Sequence, residues 1–273
     1  MAEQSELEKK ILVVGGGRMG SAILNGWLQQ GMTPSSIYLI DRGLETLEGF
    51  KDKGVHTFQN VEEVPAGITF DVFLLALKPQ VIIQQVTEFN RLISDSTCLV
   101  SVAAGIMVAT LKQMLPNAKN VVRVMPNTPA MIGKGVMVGY SDKQAEFVKL
   151  IEGLFSTLGR FFWIADEQQM HAVTAISGSG PAYLFYFAQC FVESAKTLGL
   201  DENLAQELAL ETVIGAANLI EQSDDDVEIL RKNVTSPNGT TQAGLEALMA
   251  DSILKQLMEA CCQQAAKRSV ELS

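Results

Sequence analysis

Ile11-Leu-Val-Val-Gly-Gly-Gly-Arg-Met-Gly20, running on into Ser21-Ala-Ile-Leu-Asn-Gly-Trp-Leu-Gln-Gln30, decides the architecture of the N-terminal half. The apolar, mostly β-branched run before Gly15 suits a strand covered on both faces, and residues 22–30 have the period of a helix. Between them, Gly15 permits a tight turn, Gly17 lets the backbone approach a pyrophosphate, and Gly20 allows close helix-strand packing. The helix N-terminus faces the anion. Arg18 and Met19 share that loop. Alone the motif is weakly specific, but between a strand and a helix at the start of a βαβ unit it reads as a dinucleotide-binding fingerprint.

Asp41 ends the next apolar run about 20 residues on, where a carboxylate would accept from a ribose hydroxyl and favour NADH. Arg42 beside it could grip a 2′-phosphate in fork geometry and favour NADPH. The two point in opposite directions, so both cofactors stay open. Asn60 is a further candidate on the adenosine side, or a turn residue.

Working outward, apolar runs at residues 37–40, 72–76, 98–102 and 121–125 alternate with helical patterns to about Phe162. This predicts an α/β fold, an N-terminal Rossmann-type doubly wound parallel sheet. Its crevice would be lined by Ala76, Lys78 and Pro79 after one strand and by Ala103 and Ala104 after the next, small enough to leave space for a flat ring. Asn127 and Thr128, in Val124-Met-Pro-Asn-Thr-Pro129, fall at the same crevice.

After Asp166 the pattern turns helical, over residues 169–198, 203–222 and 243–269, with breaks expected at Ser177-Gly-Ser-Gly-Pro181 and Thr235-Ser-Pro-Asn-Gly-Thr-Thr241. The expected division is residues 9–166 as the dinucleotide domain and 167–273 as an all-helical domain for substrate and dimerisation. Ala182-Tyr-Leu-Phe-Tyr-Phe-Ala188 is apolar all round a helix and needs partners on all sides, which predicts self-association.

Composition narrows the rest. The 31 acidic and 21 basic residues among 273 give a formal charge of −10, which repels phosphate backbones and anionic membranes. No nucleic-acid or membrane partner is expected. The first ten residues carry no apolar run, so a cytoplasmic location is expected rather than secretion. Cys98, Cys190, Cys261 and Cys262 form no Cys-x-x-Cys pair and read as reduced thiols. No metal-ligand cluster is visible.

The most informative stretch for chemistry is Asn233-Val-Thr-Ser-Pro-Asn-Gly-Thr-Thr-Gln-Ala-Gly-Leu-Glu-Ala-Leu248. Hydroxyls and free amides at a helix start make a pocket for a small carboxylate. The plainer alternative is an N-cap built by Thr240 or Thr241.

That stretch, with Val124-Met-Pro-Asn-Thr-Pro129, Ala76-Leu-Lys-Pro79, Val102-Ala-Ala-Gly105 and Ile176-Ser-Gly-Ser-Gly-Pro-Ala-Tyr183, resembles the pyrroline-5-carboxylate reductase family over nearly the whole chain. The resemblance implies reduction of a cyclic imine, 1-pyrroline-5-carboxylate, to L-proline with NADPH, or with NADH. It implies a helical domain that dimerises and often a ring of dimers. Carried over by position, it implies that the Thr241 hydroxyl bonds the imine nitrogen while Ser236 and the amides of Gly239 and Thr240 hold the carboxylate. Lys78, Asn60, Ala103 and Ala104 would line the cofactor, with Asn233 and Glu167 where the domains meet. Arg18 and Asn238 depart from the commonest pattern, which has Asn or Gln and Gly there.

Two other readings compete: a related Rossmann imine or β-hydroxyacid reductase, and a non-catalytic nicotinamide-binding regulator. The hydroxyacid enzymes use a lysine in the first helix of the second domain, and this chain has none between residues 168 and 189. A regulator would have no use for Thr241. His171 reads as a helix-surface or packing residue and Glu221 as a solvated helix-end carboxylate, each with a proton-relay alternative.

Overall fold

A computed structural model of the chain describes residues 9–272; residues 1–8, on which the expectation of no leader rests, lie outside the described residues. The first part lays down β1 (Ile11–Val14), α1 (Arg18–Gln29), β2 (Ile37–Ile40), α2 (Leu44–Lys51), β3 (His56–Phe58), β4 (Val72–Leu75), α3 (Pro79–Gln85), β5 (Cys98–Ser101), α4 (Val108–Met114), β6 (Asn120–Met125), β7 (Gly135–Tyr140), α5 (Gln144–Phe155) and β8 (Gly159–Trp163). The strands form one sheet in the order β3-β2-β1-β4-β5-β6-β7-β8. Every pairing is parallel except β6 with β7.

Side chains alternate across a strand, and here both faces are buried, which is why the central strands read as unbroken apolar runs. Ile11, Val13, Leu39 and Leu74 face one core with Ile23 and Trp27 of α1 and Phe155 of α5. Leu12, Val14, Phe73 and Leu99 face the other, with Ile82 of α3 and Leu111 of α4. The doubly wound arrangement is therefore as the sequence pattern predicts. The pair β7 and β8, antiparallel to the other six strands, is an addition to it.

The second part contains α6 (Gln169–Val173), a π-helical turn (Thr174–Gly178), α7 (Gly180–Thr197), α8 (Glu202–Gln222), α9 (Val227–Asn233), α10 (Thr240–Met249) and α11 (Ile253–Glu271). Where a break was expected at residues 177–181, the chain widens by one π turn and restarts at Gly180. Pro181 then falls in the new first turn, where its missing N–H costs nothing. Residues 243–269, expected to run as one helix, are interrupted at Ala250–Ser252, with Asp251 and Ser252 at φ of 49° and 56°.

By contacts the chain forms two compact units, one ending at Ser179 and including Ala265 onward, the other Gly180–Gln264. In the first, His171 Nδ1 lies 3.0 Å from Ser269 Oγ, both buried, so His171 is a packing residue. In the second, α7 lies on α8 with Ala188, Ala205 and Ala209 buried, while Leu184, Phe185 and Tyr186 remain 64%, 68% and 67% exposed in the single chain. Among the described residues no helix is long and apolar enough to cross a membrane.

Candidate active site

The strand order reverses direction between β1 and β4, and open α/β sheets bind ligands in the crevice beyond the carboxyl ends at such a point. Gly15, the first residue past β1, has φ +103°, its N–H donates to Ile40 O at 2.9 Å, and a Cβ there would lie 2.6 Å from Ala76 O. Only glycine makes that turn. Gly17 is the N-cap of α1; no side chain caps the helix and no acidic residue stands in its first turn. A Cβ on Gly17 would meet open space, whereas one on Gly20 would strike Gly15 O. Open first-turn amides over a turn with room for close approach fit the pyrophosphate of a dinucleotide. Arg18 is exposed beside them, while the Met19 side chain packs toward the core and leaves only its backbone to the loop.

Asp41 is held from two sides. Oδ2 accepts from Gly16 N at 2.5 Å and Oδ1 from Gly43 N at 2.7 Å, so the carboxylate clamps the glycine loop. Arg42 instead donates from Nη2 to Gln85 Oε1 at 2.7 Å. Both line a cleft of about 280 Å³ with Val14, Asn60, Leu77 and Phe89. Asn60 also caps the following turn, accepting from Glu63 N at 3.2 Å and donating to Glu63 Oε1 at 2.7 Å, which is its reading as a turn residue. Gln85 is a residue the sequence reading missed. Its one signal was the spacing of four from Val81, on the same face of α3.

At the ends of β4 and β5, Ala76 N donates to Val14 O at 2.8 Å and Val102 N to Leu75 O at 3.1 Å, which brings Ala76 and the small residues after β5 to the crevice. Lys78 is exposed at the N-cap of α3, Pro79 opens that helix, Ala103 is buried and Ala104 half-buried. Asn127 has both ends of its side-chain amide engaged by the backbone. It is buried, donates from Nδ2 to Ser177 O at 3.1 Å and accepts from Val136 N at 2.8 Å, pinning the π turn. Glu167 Oε1 accepts from Arg123 Nη1 at 2.7 Å and from Val108 N at 2.8 Å; Arg123 is only 2% exposed. Such a desolvated pair is costly to break from one side. Burial, then the charges of Glu167, Asp142 and Asp166, raise the Tyr140 phenol above its ordinary pKa. Burial alone pushes the Cys98 thiol up to about 12, so it is no nucleophile.

The helical unit carries the other predicted residues. Asn233 ends α9, and Thr235 Oγ1 donates to Arg231 O at 2.6 Å. Asn238 sits at φ 58°, the left-handed geometry its side chain tolerates, and its N–H donates to Gln242 Oε1 at 2.7 Å. Gly239 N donates to Ser236 O at 3.1 Å, so that amide, expected to meet a carboxylate, is committed to the turn. Gly239 is the N-cap of α10, with no capping side chain and no acidic residue in the first turn, and a Cβ on it would strike Ser236 Oγ. Thr240 and Thr241 therefore open the helix without capping it. Their amides belong to that uncapped first turn, and the Ser236 hydroxyl lies beside Gly239.

A doubly wound sheet with an open, glycine-led helix at its switch point, in a chain that continues as an all-helical unit, defines a Rossmann-type nicotinamide oxidoreductase. Family models agree on both parts: residues 10–105 match "NADP oxidoreductase coenzyme F420-dependent" and residues 167–272 match "Pyrroline-5-carboxylate reductase dimerisation". The chain is 35% identical over 264 residues to pyrroline-5-carboxylate reductase of Pasteurella multocida, covering 94% of this chain and 96% of that protein. It matches the structure of a pyrroline-5-carboxylate reductase from Coxiella burnetii at TM-score 0.88 and 32% identity, over 97% and 99% of the two chains. The Plasmodium falciparum pyrroline carboxylate reductase with NADP bound matches at TM-score 0.83 and 27% identity, over 97% and 98%. The chain belongs to the pyrroline-5-carboxylate reductase family.

Proposed function

We propose that the protein reduces 1-pyrroline-5-carboxylate to L-proline with NADPH, the last step of proline biosynthesis. Ser236 Oγ and the Thr240 amide hold the substrate carboxylate, Thr241 Oγ1 bonds the imine nitrogen, and Gly239 supplies the space for the approach. The observation that supports these roles is the first turn of α10: glycine-led, uncapped, free of acidic side chains and flanked by hydroxyls. The positive end of a helix and its free amides favour a carboxylate there. NADPH, when bound, supplies the hydride that forms the new bond at C5, and solvent supplies the proton that ends on the ring nitrogen. The chain contributes position, worth roughly 7–11 kcal/mol when reacting groups are held in a near-attack arrangement.

For the cofactor, Gly15, Gly17 and Gly20, with the backbone of Arg18 and Met19, hold the pyrophosphate. Asp41 secures that loop, while Arg42 and Asn60 meet the adenosine end. Ala76, Lys78, Pro79, Ala103, Ala104 and Asn233 are assigned to the remainder. Residues 9–166 thus serve the cofactor, and 167–273 serve the substrate and dimerisation. The exposed apolar side chains of α7 support a homodimer, and dimers closing into a ring complete the assembly. The cytoplasm suits its four free thiols.

NADPH oxidation by the purified protein with 1-pyrroline-5-carboxylate, followed by absorbance and by chromatography of the product, tests the reaction. L-Proline forming in step with NADPH loss is expected; NADPH loss without proline, or no loss, overturns it.

A further inference from the structure

The cleft beyond β2 has an apolar floor and a polar rim, and the rim holds a contact that fingerprint residues alone would not supply. Val14, Leu77 and Phe89 form part of the floor, suited to a flat heterocycle, while Arg42, Asn60 and Gln85 stand among the polar groups. Gln85, at the last turn of α3, reaches back over 43 positions of sequence to take the Arg42 guanidinium at 2.7 Å. The orientation is unambiguous, because arginine only donates and the contact atom on Gln85 must be its carbonyl oxygen. Asp41, next to Arg42, is turned under the glycine loop by two backbone amides.

The geometry points to Gln85 as a specificity-determining residue for the cofactor, one that holds Arg42 over the cleft so that its free donors meet the 2′-phosphate of NADPH. The assignment rests on the proposed nicotinamide function and deepens it. A long arginine side chain is disordered by default, and ordering it before the phosphate arrives removes part of the entropic cost of binding. Gln85 does this without charge. A glutamate in the same place would hold Arg42 equally well but neutralise it and repel the phosphate, so the neutrality of the amide matters as much as its reach.

Two variants separate the idea from simple packing. Gln85→Glu is expected to lower the NADPH-to-NADH ratio of kcat/KM by about tenfold or more, a difference of ~1.4 kcal/mol in cofactor discrimination. Gln85→Leu, which keeps size but loses the hold, is expected to lower it about threefold through KM for NADPH, with kcat following far less. In an Arg42→Ala background Gln85→Leu should not move the ratio further and Gln85→Glu should move it less than in the parent, since the hold of Gln85 acts through Arg42 and only the repulsion of a glutamate remains without it. Dissociation constants of NADP+ and NAD+ from calorimetric titration give the same ratio without any turnover. A binding ratio that shifts as expected in a protein inert toward the imine would sink the proposed reaction and leave Gln85 in place. A ratio unmoved by Gln85→Glu, or moved equally with Arg42 absent, would overturn the role of Gln85.

Discussion

Two helices in this molecule begin in the same way and are supported differently. The helix α1 follows Gly17 and α10 follows Gly239; each N-cap is a glycine with no capping side chain and no acid in the first turn. Each is therefore a ready anion site. In the turn before α1, Gly15 and Gly16 are buried, Gly15 N donates to Ile40 O of β2 and Gly16 N is clamped by Asp41. The turn before α10 is mostly exposed and built locally, from Ser236, Asn238 and Gln242. In the proposed roles, the difference amounts to one anion-binding device at two levels of support, stiff for a cofactor gripped along its length and adjustable for a small substrate.

Gly15→Val puts the heaviest load on the stiff site. A β-branched residue at φ +103° is strained, and its Cβ would meet Ala76 O at 2.6 Å, a backbone atom that cannot step aside. The expected result is at least about 100-fold weaker NADPH binding together with a loss of roughly 3 kcal/mol of stability, read by cofactor titration and thermal melting. If stability and affinity survived, the turn before α1 would be no stiffer than the one before α10.

Asp41→Asn sharpens the same contrast by loosening the clamp without removing the side chain. An asparagine can accept from only one of the amides of Gly16 and Gly43, and its NH2 then opposes the other. Affinity for NADPH and NADH should fall together, by about tenfold, with ~1–2 kcal/mol of stability. A loss confined to NADH in parallel titrations would instead make Asp41 a ribose reader.

These two sites also differ in how far the sequence discloses them. The turn at Gly15 was legible because its glycines serve backbone geometry and the flanking apolar runs have faces buried on both sides. The clamp by Asp41 was not, since one carboxylate after β2 suits a ribose or an amide equally, and only the fold brings Gly16 to it across 25 positions. The strand β7 was hidden by Gly135 and Gly139, which interrupt its apolar run because Ala130 and Phe161 approach their backbone too closely for a side chain. The kink at Asp251 and Ser252 was hidden for the opposite reason, as neither residue breaks the helical period of its surroundings. At α10 the hydroxyl-rich loop was visible, but the turn bond that takes up the Gly239 amide was not.

Thr241→Ala tests the adjustable site where chemistry is assigned. Catalytic efficiency should drop about tenfold, ~1.4 kcal/mol of transition-state stabilisation, with NADPH affinity and melting temperature held, because the hydroxyl carries no capping bond that the fold would lose. An unchanged kcat/KM for 1-pyrroline-5-carboxylate would remove Thr241 from the imine.

Gln242→Leu carries the smallest expected effect and defines how adjustable the second site is. Gln242 Oε1 takes the amide of Asn238, the left-handed residue of the turn, and its Nε2 donates to Glu246 Oε1 at 2.8 Å. Both bonds lie at an exposed helix start where water can replace them, so the net loss should be near 0.6 kcal/mol. That corresponds to about a threefold rise in KM for the imine with kcat preserved, since the loop would spend part of its time out of the geometry that meets the carboxylate. A loss as large as that of Thr241→Ala would mean that the turn before α10 depends on one clamp as strictly as the turn before α1 depends on Asp41, and the contrast between the two helix starts would fail.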